Sequence, residues 1–202
     1  MEPISGLPLV SLDIQAPIWE HVFTVAPLVL VGTEEEEGYD FAPKHMVTPL
    51  GWDNYVGFVC TPRHRTYHNA KRTGVFTMTY VRPSQVLLAS LAASERSDGP
   101  GAKPALQMLS TFPAEVVAGQ FVEDGYLFLE CELDRVVDDF GVNSLLCGRI
   151  VAAHVHEEAL RISEADDAER LFAAPLLAYL HPGRYATLAE THAFPFPARF
   201  SR

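Results

Sequence analysis

Short apolar segments rich in β-branched and aromatic residues run through most of this chain, and they constrain its fold more than any other feature. Segments of this kind, bounded by Gly, Pro, Asn and Asp, are typical of buried strands rather than helices. Consecutive strands joined by short turns pair in antiparallel fashion. The predicted strands are "VFTVAPLVLVGT" (22–33), "FAPKHMVTPLG" (41–51, at a sheet edge), "YVGFVCT" (55–61), "VFTMTYV" (75–81), "AEVVAG" (114–119), "YLFLECELDRVV" (126–137) and "SLLCGRIVAAHVH" (144–156).

Only three segments have helical character, and they lie between the strands. The first is capped by Thr66 and ends at Gly74, the second follows Ser84 as its cap, and the third covers 164–180. Because strands do not alternate regularly with helices, a doubly wound parallel sheet is excluded. The sequence predicts a mainly β fold, an antiparallel, closed or partly open barrel with a few appended helices. Residues 1–202 are expected to form one domain.

Composition and charge narrow the class of partner. The chain has 202 residues, 48% of them hydrophobic, and a formal net charge of −11, which argues against nucleic acid or an anionic membrane as partner. Its three cysteines have no paired spacing, which favours reduced thiols. The first residues lack a basic, apolar leader, and the longest apolar run is too short to span a bilayer. We therefore expect a cytoplasmic protein.

A cluster of positive charge contrasts with this overall acidity. Arg63, Arg65, Lys71 and Arg72 fall close together, and no Asp or Glu occurs from 54 to 94. A strand that turns into a helix exposes backbone N–H groups that bind phosphate, and arginine donates paired hydrogen bonds to it. The residues predicted to converge on a phosphate are Thr61, Arg63, His64, Arg65 and Thr66. The alternative is a solvated basic loop that pairs with the four glutamates of "TEEEEG", the expected tip of a hairpin.

Three further patterns carry weaker hypotheses. The irregular segment "APKHMVTPLGW" could offer backbone groups and the Lys44 ammonium to a flat ring system. His154 and His156 on one strand suggest a zinc hydrolase, although no HEXXH or paired-cysteine spacing supports a metal site. Cys60 beside the basic segment is either a reactive thiol or, at the end of an apolar strand, a buried inert one.

Taken in order, these motifs resemble the flavin reductase-like, FMN-binding split-barrel family, which includes flavoredoxin and the reductase components of two-component monooxygenases. The family pattern combines an acidic hairpin tip, an Ala-Pro segment ending in Thr-Pro-Leu, a basic turn with Tyr-x-Asn, and Thr-Gly-x-Phe. It is matched at 42–50, 63–69 and 73–76, and later by "LLCGRIVAAHVHEEAL" and "PLLAYLHPGRYATL". The resemblance covers most of residues 20–190 and implies an antiparallel split β-barrel.

The resemblance also implies a cofactor and its contacts. FMN would lie at a homodimer interface, with its phosphate on the basic turn at 61–66. The residues implied to meet its ring and ribityl chain are Lys44, His45, Met46, Val47 and Thr48. His154, Arg184 and Tyr185 are candidate catalytic residues at the open face of the flavin, with a cluster on the dimer surface as the alternative. The chain departs from the family at His45, where serine is usual, at 53–55 and at Gly148-Arg149.

The function implied is an FMN-dependent oxidoreductase that takes hydride from NADH or NADPH and passes electrons to free flavin, oxygen or a partner monooxygenase. The alternative is a flavin carrier or sensor without turnover, since both need the same cofactor pocket. The aromatic tail Phe194–Phe200 is expected to lie extended over another surface and to form part of the dimer contact.

Overall fold

A computed structural model describes residues 8–94, 103–162 and 166–197, and within these ranges the chain is mainly β with three α-helices. The strands are β1 (Thr24–Pro27), β2 (Val29–Glu34), β3 (Tyr39–Lys44), β4 (Val47–Pro49), β5 (Tyr55–Cys60), β6 (Val75–Tyr80), β7 (Thr111–Pro113), β8 (Gln120–Val122), β9 (Leu127–Phe140), β10 (Asn143–Val155), β11 (Leu176–His181) and β12 (Arg184–Leu188). The helices are α1 (Arg65–Thr73), α2 (Val86–Leu91) and α3 (Asp167–Ala173), with 3₁₀ turns at Ile18–His21, Pro83–Gln85, Pro104–Met108 and Glu157–Ala159.

Seven strands form one curled antiparallel sheet, in the order β3-β2-β6-β9-β10-β5-β4. Its two edge strands, β3 and β4, are separated in sequence only by His45 and Met46. A sheet whose edges are joined by two residues must curl toward closure, and the Val59 N–H donates to the Met46 carbonyl at 2.9 Å across this junction. We call residues Lys44–Thr48 the seam. The predicted antiparallel barrel is confirmed, and its edge segment lies where the prolines indicated.

A smaller sheet of β1, β11 and β12 packs beside the barrel. The prediction of one continuous strand over 22–33 is wrong, because the chain leaves one sheet at Pro27 and enters the other at Val29. Pro27 has no N–H to continue a ladder, which suits it to the end of a strand. This crossing places the small sheet next to the seam.

Strand β2 is buried on both faces and separates two cores. Val29 and Val31 point into the barrel, where they pack in a cluster with Phe58, Phe76 and Met78. Leu30 points the other way, into a second cluster with Phe41 of β3, Val81 after β6, Ala89 of α2 and Leu177 of β11. This alternation explains why β2 reads as a continuous apolar run in the sequence.

Helix boundaries differ from those predicted. The first helix begins at Arg65 with His64 at the N-cap, so Thr66 lies inside it and is buried, while Gly74 ends it in the left-handed conformation (φ 73°) as expected. Ser84 does not cap α2; it lies in a 3₁₀ turn that begins after Arg82. The predicted helix over 164–180 ends at Ala173, and the following segment is strand β11. Pro175 explains this change, since the residue before a proline avoids helical geometry.

The segment 114–119 is a loop rather than the predicted strand. Its backbone N–H groups at Glu115, Val116 and Val117 donate to the carboxylate of Glu130, at 2.9, 2.7 and 2.8 Å. Glu130 lies near the start of β9 and is fully buried. A buried carboxylate therefore replaces a neighbouring strand as the partner of these N–H groups.

Close packing at Gly148 gives the first testable prediction. A Cβ atom on Gly148 would overlap the ring of Phe76, with Cε1 only 2.8 Å away, and Phe76 is buried in the barrel core. We expect Gly148→Ala to lower the free energy of unfolding by about 1–3 kcal/mol, measured by urea denaturation. Gly38→Ala is a poor control because its φ is positive, so the variant is compared with the natural chain. Equal stability of Gly148→Ala and the natural chain would contradict this packing.

The three cysteines are buried as free thiols, and no described helix has the length and apolarity that crossing a bilayer requires.

Candidate functional site

Lys44 is the first residue of the seam and carries its positive charge. It ends β3 with its side chain largely buried, and its ammonium donates to the Cys60 thiol at 3.5 Å. Burial raises the pKa of Cys60, although Lys44 acts in the opposite direction, so the thiol does not neutralise the ammonium at neutral pH. Lys44 forms no ion pair with any residue in the described ranges. A nearly buried cation without a carboxylate is a natural site for an anion or an electron-rich ligand edge.

His45 turns the other way and stacks on the small sheet. Its ring lies 4.5 Å from that of Tyr179 and 5.6 Å from that of His181, centroid to centroid. Burial lowers the pKa of His45, and repulsion from His181 and Lys44 lowers it further, so the imidazole is neutral at pH 7. Its Nε2 is buried and has no hydrogen-bond partner among the residues that the structure describes. An unsatisfied buried nitrogen at a sheet junction marks a place where a ligand group is expected.

The basic turn, residues Thr61–Thr66, follows β5 immediately after Cys60. It is closed by hydrogen bonds from the His64 N–H to the Thr61 carbonyl (3.0 Å) and from the Arg63 N–H to the Thr61 hydroxyl (3.4 Å). Because Cys60 also contacts Lys44, the turn and the seam are neighbours. Two segments that the sequence analysis assigned to a phosphate and to a ring are thus adjacent.

The charges on the basic turn differ in how they are satisfied. Arg65 pairs with Glu35 of the acidic hairpin tip at 3.6 Å, whereas Arg63 is exposed and has no ion pair among the described residues. The pairing with the glutamate tip is therefore limited to one arginine of the turn. Partial burial lowers the pKa of His64, and the ammonium groups of Lys44 and Lys103 lower it further.

Helix α1 is fixed to the barrel by the Tyr-x-Asn motif. The Tyr67 hydroxyl donates to Asp138 at 3.0 Å, and the Asn69 amide donates to Thr33 at 3.2 Å. Both side chains are buried. The motif thus positions the N-terminus of α1 beside the seam.

A cavity of about 730 Å³ opens between α2 and the small sheet. We call it the apolar cavity; its lining residues are Leu28, Pro43, His45, Val86, Leu87, Ala89, Ser90, Ala93, Leu177, Tyr179, Gly183, Arg184 and Tyr185. His45 belongs both to the seam and to this wall. The cavity brings together His45, Arg184 and Tyr185 from the predicted site residues.

His154 lies elsewhere. Its Nε2 is 3.3 Å from the Glu130 carboxylate, and its side chain borders a separate cavity of about 250 Å³ with Phe112, Phe121 and Phe128. The structure does not bring it together with Arg184 and Tyr185. Among the described residues, no group of three or more His, Cys, Asp or Glu side chains could hold a metal ion.

Among the remaining seam residues, Met46 contributes its backbone carbonyl, which accepts the hydrogen bond from Val59 across the junction. Val47 points into the barrel core, and Met46 and Thr48 are exposed. The sequence analysis missed Tyr179 and His181, which alternate on β11 and face His45. These two residues belong to "LLAYLH" (176–181), which has the composition of a strand but falls mostly within the helix predicted over 164–180.

Comparison with known proteins supports this fold assignment. The chain has 20% sequence identity and a TM-score of 0.80 to nitrilotriacetate monooxygenase component B from Bacillus cereus, covering 94% of this chain and 100% of that one. An FMN-binding protein from Thermus thermophilus, with bound p-hydroxybenzaldehyde, has 23% identity and a TM-score of 0.75 over 93% and 100%. A protein from Shewanella frigidimarina described with a split barrel domain has 20% identity and a TM-score of 0.73 over 86% and 87%.

No curated protein matches this chain significantly in sequence. The model of the flavin reductase like domain, however, matches residues 23–189, which is most of the chain. The order of the motifs, the curled sheet and the seam all agree with that match. The chain belongs to the flavin reductase-like family and has its split-barrel fold.

Proposed function

We propose that this protein binds FMN and acts as an NAD(P)H-dependent oxidoreductase. The observation that carries the proposal is Lys44, a nearly buried ammonium that has no carboxylate partner in the described ranges and contacts Cys60, the residue before the basic turn. The next residue, His45, has a buried Nε2 with no hydrogen-bond partner among the described residues. A ligand with an electron-rich edge and a phosphate would satisfy all three features. The names of the relatives from Thermus thermophilus and Bacillus cereus agree with this choice.

The residues present fit FMN in two parts. Arg63, Arg65 and the backbone N–H groups at the start of α1 would hold the phosphate, because arginine and a helix N-terminus both favour a dianion. Lys44 and the backbone of the seam would hold the polar edge of the ring, and His45 can donate or accept one hydrogen bond there. Thr61 and Thr66 would flank the phosphate, Thr66 through its backbone because its side chain is buried.

FMN supplies the hydride chemistry when it is bound, so the protein needs no acid/base pair of its own. The task of this chain is to orient the cofactor and to leave one face of its ring open. Arg184 and Tyr185, exposed on β12, are proposed to face that open side. His154 contacts Glu130 beside a separate cavity, so we do not propose that it faces the flavin within its own subunit.

A homodimer is part of the proposal. The described part of the aromatic tail exposes Phe194 and Phe196, and β12 is exposed along most of its length. Residues 198–200 of that predicted contact lie outside the described residues. A cyclic pair of subunits would cover these groups and complete a half-open groove. A partner monooxygenase is one destination for the electrons, as the name of the Bacillus cereus relative suggests. We also propose that the protein acts in the cytoplasm.

Anaerobic reduction tests the function. We expect protein loaded with FMN to lose its visible flavin absorbance on addition of NADH or NADPH, faster than FMN without protein under the same conditions. Loading without accelerated loss for either nicotinamide would favour the flavin carrier or sensor. Failure to bind FMN at all would contradict the proposal.

A further inference from the structure

The apolar cavity has a composition that the binding of FMN does not account for. Its wall is built from aliphatic side chains of α2 and β11 and from aromatic rings. The lining residues within the described ranges include one cation and no carboxylate. We propose that it binds a planar aromatic carboxylate as the second ligand of this protein. The inference rests on the proposed function, since this ligand would lie beside the FMN site.

The shape of the cavity favours a flat ring system. Its volume of about 730 Å³ lies within the range of small-molecule sites. Tyr179 and Tyr185 stand on the two strands of one hairpin and are register partners, and His45 stacks on Tyr179 at 4.5 Å. Aromatic rings favour offset-stacked or edge-on partners. Leu87 on α2 and Ala93 just after this helix add apolar surface to the same cavity.

Arg184 determines the charge of the ligand. It begins β12 and lines the cavity, and its guanidinium group has no hydrogen bond or ion pair with any described residue. Arginine binds a carboxylate through two parallel hydrogen bonds, and an apolar wall strengthens them by excluding water. Because no acid among the described residues lines the cavity, a cationic ligand would find no partner in this part of the chain.

The number of cations separates a carboxylate from a dinucleotide. A nicotinamide dinucleotide carries at least two phosphates, whereas Arg184 is the one cation among the described lining residues, so most of a dinucleotide would lie outside the cavity. Lys44 lies at the seam, beyond His45, and is proposed for the cofactor. One arginine at the mouth of an apolar cavity matches one anionic group on an apolar body.

Calorimetric titration with two matched probes tests the inference. 2-Naphthoate and 2-naphthamide have the same ring system and differ in charge. We expect protein loaded with FMN to bind 2-naphthoate at least tenfold more tightly than 2-naphthamide. Arg184→Leu should remove that preference, whereas Arg184→Lys should keep part of it. Ala93→Trp, at an exposed position in the wall, should fill the cavity and weaken both probes at least tenfold.

The control variant is Leu91→Trp, which adds the same side chain to α2 at an exposed position outside the cavity lining. It should bind both probes like the natural protein. Equal affinity for the two probes, or unchanged binding by Ala93→Trp, would overturn the inference. Flavin content is measured by absorbance on every sample, so a failure to bind FMN is recorded separately. In that case the same titration on flavin-free protein still decides whether the cavity prefers the carboxylate.

Discussion

Replacing Arg63 and Arg65 together with alanine is expected to weaken FMN binding about 100-fold and to leave riboflavin binding within about twofold. Riboflavin lacks the phosphate, so the comparison isolates that group. A charge-assisted hydrogen bond contributes about 1.5–3 kcal/mol, and two exposed arginines in water should together supply about 2.8 kcal/mol, which corresponds to 100-fold. Both affinities are measured by quenching of flavin fluorescence.

A matched control removes two arginines elsewhere. Arg135 and Arg149 are exposed on β9 and β10, where each pairs with a nearby acid. Their double alanine variant changes the net charge equally and should bind FMN like the natural protein. An equal loss for FMN and riboflavin in the Arg63/Arg65 variant would assign those arginines to folding rather than to the phosphate.

Glu130→Leu is expected to lower the free energy of unfolding by about 3–5 kcal/mol, the largest effect of a single substitution on stability. The carboxylate is fully buried and accepts hydrogen bonds from three backbone N–H groups of the loop 115–117. Leucine leaves these donors without a partner, and each unsatisfied buried group costs about 1–3 kcal/mol. The total cost is smaller than the sum because the exposed loop can turn some of its N–H groups to water. Glu130→Gln keeps one acceptor oxygen, so its free energy of unfolding should lie between those of the natural protein and Glu130→Leu. Urea denaturation measures all three proteins.

The same carboxylate predicts a pH dependence. Burial alone raises the pKa of Glu130, but the three backbone hydrogen bonds and His154 outweigh it, so the pKa in the folded protein is lowered. A lowered pKa stabilises the fold above the unfolded-state value of about 4.3. This contribution is lost as the pH falls through the folded-state pKa. The difference in stability between the natural protein and Glu130→Gln should therefore shrink in acid, and a constant difference down to complete protonation would contradict this assignment. Glu132→Gln, exposed two residues later, is the control.

The barrel could be predicted from the sequence because its strands carry their own signal. The run around Val31 is apolar on both faces, and Gly74 ends α1 with the backbone geometry that glycine allows. The two ends of the curled sheet meet at the seam, and this contact follows from a motif that the chain shares with its family. Local pattern and overall topology agree in these places.

Other parts of the site could not be predicted because distant contacts determine them. The strand β11 follows a helical segment after Pro175, and only its pairing with β1 makes it a strand and brings Tyr179 to His45. The segment 114–119 has strand-like composition, but the Glu130 carboxylate takes its N–H groups. The sequence shows that Glu130 lies in an apolar strand, but it does not show which N–H groups donate hydrogen bonds to its carboxylate. His154 and Arg184 likewise fall on different sheets, so their separation depends on tertiary structure.

A crystal structure of the protein with FMN is the most direct test of the central claim, which is that the seam and the basic turn together form the cofactor site. We expect the phosphate within hydrogen-bond distance of Arg63 and of the backbone N–H groups that begin α1, and the ring edge against Lys44 and His45. A phosphate elsewhere on the protein, with the Lys44 ammonium still in contact only with Cys60, would contradict the account.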